Sequence, residues 1–178
     1  MLADTTRTII DRDPFAAESG NPYCGMTDPT PFAMQERVRW ADVDLVGIMR
    51  FSAFTRLVEL AEQELFRDAG LPYHGAFDAP TVWMPRRHLS IEYFAPARID
   101  DALTLVTYVS RIGETSMTMN VDVRASESWG LVASAAMVVV CVTVEQFAKR
   151  ALPLEMREAL AAYACSVETG RSWRPTRV

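Results

Sequence analysis

The sequence predicts an α+β domain in which an antiparallel sheet of about five strands wraps around one long central helix. Three observations carry this. One sustained helical period runs from Ser52 to Ala69, with Phe54, Leu57, Val58, Ala61, Leu65 and Ala69 on one side. Downstream, runs of strand character follow one another from His88 to Glu145. The breaks between those runs are too short to hold crossover helices, so consecutive strands pair antiparallel.

The elements are taken in chain order. Residues 1–33 mix charge, Gly and Pro without a sustained period, and Pro22, Pro29 and Pro31 stop any helix begun at Thr6–Arg12. They are read as an irregular N-terminal arm, followed by the domain proper at residues 34–150 and a C-terminal helix and tail at residues 151–178. Met34 to Trp40 is expected as a first strand with Met34, Val38 and Trp40 on one face. The long helix follows, with Ser52 as N-cap, Gly70 just past its end and Pro72 as a stop.

His88–Phe94 then alternates through Leu89, Ile91 and Tyr93, and Ala102–Ile112 through Leu103, Leu105 and Val109. Thr115–Ala125 places Met117, Met119, Val121 and Val123 in strict alternation, as core packing requires. Gly130–Glu145 is nearly continuous in apolar residues, as a centrally placed strand covered on both faces would be. Cys141 within it is expected to be an inert buried thiol. Pro153 to Cys165 reads as a second, shorter helix, and the basic tail from Gly170 as a frayed end. One long helix cannot cover both faces of such a sheet, so a second subunit is expected to cover the remainder.

Composition narrows the function classes. A chain of 178 residues with 49% apolar content suits a single core, and a net charge of −5 without a basic block argues against a nucleic-acid binder. Three widely spaced cysteines and no metal-ligand spacing point to a reduced, cytoplasmic chain with neither disulfide framework nor metal. No secretory leader pattern opens the chain, and its most apolar run is too short to span a bilayer, so no membrane partner is expected. Serine-hydrolase, dinucleotide and P-loop signatures are all absent.

The chemistry concentrates between Trp40 and Leu65. Asp42 and Asp44 lie two apart, so on an extended strand they share a face, and their like charges would raise one pKa. A turn containing Gly47 then leads directly into the helix start, whose unpaired N–H groups favour anionic oxygens. A carboxylate beside such amides suits acyl transfer.

These residues resemble the hotdog-fold thioesterases, in the branch of 4-hydroxybenzoyl-CoA thioesterase and the short acyl-CoA thioesterases. The pattern aromatic-x-Asp-x-Asp-x-x-Gly before the helix reads Trp40-Ala41-Asp42-Val43-Asp44-Leu45-Val46-Gly47, with Phe51 at its end. The resemblance continues through Gly70-Leu71-Pro72, Ile99-Asp100-Asp101-Ala102-Leu103 and Arg111-Ile112-Gly113-Glu114-Thr115-Ser116.

It implies a homodimeric or homotetrameric enzyme that hydrolyses an acyl-CoA or acyl-carrier-protein thioester without a cofactor. Asp44 would be the catalytic acid, as nucleophile or as general base for water, and the Phe51 backbone amide would polarise the carbonyl. Asp42 is then a structural acid. Gly47 would let the turn pass close to substrate. Arg50 stands where the family has an aromatic residue, and would meet a pantetheine phosphate, a carrier protein or a dimer salt bridge.

His74 occupies the place of a pocket tryptophan and is a substrate-contact candidate, and Arg111 is what remains of a basic cluster for coenzyme A phosphates. Another branch of the fold carries its acid on the helix, which makes Glu59 a reserve candidate. Two rival readings stay open. A hydratase or dehydratase of this fold would pair a carboxylate with His74 or His88. A non-catalytic acyl-thioester binder would fit Arg50 and the apolar Ala53 and Phe54.

Overall fold

The computed structural model describes residues 30–71 and 82–175. Most of the N-terminal arm expected for residues 1–33 therefore lies outside the described residues, as does His74. Strand β1 (Phe32–Arg37) is followed by a short 3-10 turn (Trp40–Asp42) and helix α1 (Ala53–Asp68). Strands β2 (Arg86–Tyr93), β3 (Ala102–Ile112), β4 (Ser116–Ala125) and β5 (Leu131–Val140) come next. Helices α2 (Leu154–Ala161) and α3 (Val167–Ser172) close the chain.

The five strands form one sheet in the order β1-β3-β4-β5-β2, and every neighbouring pair is antiparallel. This is the hotdog arrangement, with α1 as the filling. The expected alternation sets the inner face: Leu103, Leu105 and Val109, then Met117, Met119, Val121 and Val123, then Ala133, Ala135, Met137 and Val139. They meet Leu57, Val58, Ala61, Leu65 and Phe66 of α1 in one buried cluster. Burying a leucine such as Leu57 or Leu65 contributes about 2 kcal/mol, so this contact dominates the stability of the layer. Gly70 follows α1 at φ +75°, a conformation that costs glycine little and explains its place at the helix end.

Four expectations are corrected. Trp40 is exposed in the 3-10 turn and does not continue β1, because that strand ends once its pairing with Ala102 is complete. Ser52 holds the N-cap position of α1 as expected but makes no side-chain cap; its backbone is already helical, and its carbonyl accepts from the Thr55 hydroxyl at 2.6 Å. The second helix is shorter than expected: α2 stops at Ala161, and the chain then pairs with β3, Val109 N–H donating to the Tyr163 carbonyl at 3.0 Å.

The tail from Gly170, expected to be frayed, instead places its residues 170–172 in α3, on the outer face of the sheet. There Val106, Tyr108 and Cys165 pack with Trp129 and Trp173. Over this area the chain's own C-terminus covers the sheet face turned away from α1. Gly170 makes this possible, since a Cβ at that position would lie 2.5 Å from the Tyr108 ring. Polar contacts fix the helix: Arg124 donates to the Arg171 carbonyl at 2.7 Å, and Arg171 to the Ser134 hydroxyl at 3.3 Å. Ser134 donates to buried Asp122 at 2.7 Å. Burial pushes the Asp122 carboxyl up, against the opposing pull of Ser134, Arg124 and Arg171. Cys141 is buried as expected, and burial raises its thiol pKa.

Candidate active site

The stretch between the 3-10 turn and α1 folds back on itself as a small hairpin. Val43 and Met49 form an antiparallel bridge, Asp44 N–H donates to the Ile48 carbonyl at 3.0 Å, and Gly47 N–H to the Asp44 carbonyl at 3.0 Å. Gly47 sits at φ +79°, which accounts for the glycine by backbone conformation. A Cβ there would meet nothing within 4 Å, so no close approach inside the chain demands it. Met49 N–H donates to the Ala97 carbonyl at 2.7 Å, which ties the hairpin to the connection between β2 and β3.

The two aspartates do not share a strand face, contrary to expectation. Asp42 ends the 3-10 turn and is only 4% exposed. Its Oδ1 accepts from Arg56 Nε at 3.1 Å and its Oδ2 from Arg56 Nη2 at 2.6 Å, while the Arg39 amide donates to Oδ2 at 3.0 Å. Burial alone would raise its pKa; the Arg56 fork and the Arg39 amide outweigh burial and hold it below the ordinary value. The expected like-charge rise is therefore absent at Asp42. This residue is a structural acid that fixes the start of α1 to the turn before it.

Asp44 is exposed on the first arm of the hairpin. Its Oδ1 accepts from Val46 N–H at 2.8 Å, and Ile48 N–H lies at 3.5 Å from the same oxygen. Among the described residues Oδ2 has no partner, so one oxygen is anchored by the turn while the other is not. Phe51 ends the same segment, and its amide finds no acceptor among the described residues, as first-turn N–H groups do. Its carbonyl accepts from the Tyr93 hydroxyl at 3.3 Å, and the Tyr93 ring meets Phe54 edge-on with centroids 5.1 Å apart. Hairpin, helix start and the end of β2 thus converge.

The other sequence candidates fall in different places. Arg50 is exposed beside the hairpin, its guanidinium donating to the Ala41 carbonyl. Arg111 lies near the far end of β3, remote from the hairpin within one protomer, since the hairpin adjoins the connection that leads into β3. Glu59 is exposed on α1; Arg56 pairs instead with Asp42 and Glu36. His88 stands in the first half of β2, away from the Tyr93 end. Among the described residues no group of three or more His, Cys, Asp or Glu is placed to hold a metal, and no helix is long and apolar enough to cross a membrane.

One pair escaped the sequence reading. Glu62 of α1 is buried and binds Arg86 at the start of β2. Its signal was present: Phe54, Val58 and Glu62 recur every four residues, so Glu62 falls on the apolar stripe of the helix.

The class follows from comparison at this point. Residues 38–162 match the thioesterase-like superfamily. The chain belongs to that superfamily, and its class is that of a thioester hydrolase. It is 31% identical over 124 residues to the acyl-CoA thioester hydrolase YbgC of Escherichia coli O6:H1, covering 70% of this chain and 91% of that protein. The 1,4-dihydroxy-2-naphthoyl-CoA hydrolase of Synechocystis is 24% identical over 129 residues, 72% of this chain and 94% of that protein. Among solved structures, the Synechocystis 1,4-dihydroxy-2-naphthoyl-CoA thioesterase Slr0204 shares the fold with a TM-score of 0.70, at 24% identity, over 73% of this chain and 95% of that one.

Proposed function

We propose that this protein hydrolyses an acyl-CoA thioester, with Asp44 as the catalytic carboxylate and the Phe51 amide as the oxyanion donor. The observation that carries the reading is the Asp44 side chain itself. One oxygen is fixed by the Val46 amide at 2.8 Å while the other is open, on a hairpin that leads straight into the acceptor-free Phe51 N–H. As a nucleophile, Asp44 adds to the thioester carbonyl and expels the thiolate, leaving a mixed anhydride that water hydrolyses. As a general base, it takes a proton from water, whose oxygen adds to the carbonyl, and the proton then passes to the departing thiolate. Either route builds negative charge on the carbonyl oxygen, where the Phe51 N–H stabilises it by about 3 kcal/mol.

Similarity to YbgC supports CoA as the carrier; an acyl-carrier-protein thioester is the alternative, and exposed Arg50 is a cation beside the hairpin that could meet either. The rival hydratase reading needs a histidine beside the carboxylate, and His88 sits toward the opposite end of β2 from Tyr93. A homo-oligomer is supported by β2, whose outer edge has no strand partner among the described residues and carries the exposed Leu89 and Tyr93. A cytoplasmic location is part of the same reading.

The test is a screen for free thiol release across short, long, aromatic and β-keto acyl-CoAs, run on the wild type and on Asp44→Asn. Thiol release that depends on Asp44 supports the assignment. Binding without release would replace it with the scaffold reading, and enoyl turnover with the hydratase reading.

A further inference from the structure

The backbone hydrogen bonds that hold the chain where it enters α1 are unequal. Arg50 N–H donates to the Asp42 carbonyl at 2.8 Å, and the Arg50 carbonyl accepts from Ala53 N–H at 2.9 Å. That carbonyl shares one planar peptide group with the Phe51 N–H, which is therefore well held on its Arg50 side. On the far side the Phe51 carbonyl receives Phe54 N–H at 3.4 Å, beyond the usual range for such bonds. Packing does not make up the difference, because the Phe51 side chain is 77% exposed.

Tyr93 does. Its hydroxyl donates to the same carbonyl at 3.3 Å, the one bond from outside the turn that Phe51 receives among the described residues. Both bonds are long, so the carbonyl depends on the two together.

The phenol stands on a firm base. Tyr93 is registered with Ala133 of β5, and Phe94 N–H next to it donates to the Val132 carbonyl at 2.9 Å. Ala133 belongs to the inner face, so Tyr93 points toward α1, where its ring meets buried Phe54 edge-on. A phenylalanine would make that ring contact equally well; only the hydroxyl reaches Phe51. The sheet thus braces the helix start at the residue whose amide is the proposed oxyanion donor.

A hydrogen-bond donor speeds acyl transfer only if it is already aimed at the oxygen on which charge develops. A donor free to rock must be reoriented during the reaction, and part of its benefit is lost. That loss falls on the transition state and leaves substrate binding nearly untouched.

We propose that Tyr93 is a positioning residue for the hydrolysis: through the Phe51 carbonyl it fixes the backbone that aims the Phe51 N–H at the thioester carbonyl. It acts through Phe51 and does not bind the substrate. This rests on the thioesterase reading above.

Tyr93→Phe tests it, because this variant keeps the ring against Phe54 and removes only the donor. The substrate is the acyl-CoA that the wild type hydrolyses fastest. kcat should fall about tenfold while KM stays within about twofold, and the melting temperature should stay within a few degrees. A ketone analogue of that acyl-CoA, with a methylene in place of the thioester sulfur, supplies a second readout. Isotope-edited infrared spectra of the bound analogue report how strongly the site polarises its carbonyl. The wild type should shift the stretch to lower frequency, and Tyr93→Phe should return it part of the way to the free value. A merely structural role for Tyr93 would lower the melting temperature without moving the stretch.

Wild-type kcat in Tyr93→Phe, or an unmoved carbonyl stretch, would overturn the proposal. So would a raised KM at unchanged kcat, which would put the phenol on the substrate. Full activity in Asp44→Asn, with a carbonyl shift that still depends on Tyr93, removes the catalytic carboxylate and leaves the brace standing. A wild type that releases thiol from none of the acyl-CoAs overturns both readings.

Discussion

Asp42 grips Arg56 with both carboxylate oxygens, at 3.1 Å and 2.6 Å, and so joins the turn before α1 to the helix itself. Removing the charge leaves the guanidinium without its main partner and the Arg39 amide with a poorer acceptor. Arg56 keeps 32% of its side chain exposed, so water offsets part of the loss. Asp42→Asn is therefore expected to cost about 2 kcal/mol, less than breaking a fully buried pair. Urea unfolding measures it; an unchanged midpoint would show that the fork contributes nothing to stability.

The same contact gives a pH dependence of known sign. The folded pKa of Asp42 lies below the ordinary 3.8 because Arg56 and the Arg39 amide outweigh burial. A carboxylate depressed on folding stabilises fully above its unfolded pKa, and that stability is lost as pH falls through the folded value. The wild type should thus lose more stability than Asp42→Asn as pH falls below about 4. Parallel stability curves for the two proteins over that range would refute the assignment.

Asp44 provides the contrast, because its carboxylate is anchored only by the turn that it forms. Asp44→Asn keeps an oxygen for the Val46 amide and so should keep the hairpin, the far-UV spectrum and the melting temperature. Thiol release should fall by about a thousandfold or more if the carboxylate acts as nucleophile or base. Unchanged turnover in a folded variant would end the catalytic reading of this residue.

The sequence made the inner half of this molecule legible. Period-two alternation in β3 and β4 and the apolar stripe of α1 are imposed by burial against one another, so pattern and structure had to agree. The outer face was not legible. Asp122 and Arg124 lie between the apolar residues of the β4 alternation and carry no core signal of their own, and only the return of the tail over Tyr108 makes them, with Ser134, a buried network. At the candidate site the motif singles out Asp44 and Phe51 as candidates, but a two-residue spacing reads as strand geometry, and a 3-10 turn followed by a hairpin separates Asp42 from Asp44. Arg86 and Glu62 lie 24 positions apart, a distance that no local pattern links.

Gly170 gives a prediction in which two known effects oppose each other. Within a helix, Gly→Ala ordinarily stabilises by about 1 kcal/mol. Here the added Cβ would stand 2.5 Å from the ring of fully buried Tyr108, closer than carbon atoms tolerate. The ring is packed under Trp129 and Trp173 and cannot swing aside, so α3 must lift instead. Overpacking of this kind costs about 1–3 kcal/mol, enough to cancel or outweigh the gain in helix propensity. Gly170→Leu, which adds still more volume, should lower the melting temperature and red-shift Trp173 emission as α3 detaches. Because α3 lies on the opposite face of the sheet from α1, thiol release at 25 °C should stay within about twofold of wild type. A Gly170→Leu protein with native melting and unshifted emission would show that α3 does not hold the tail to Tyr108.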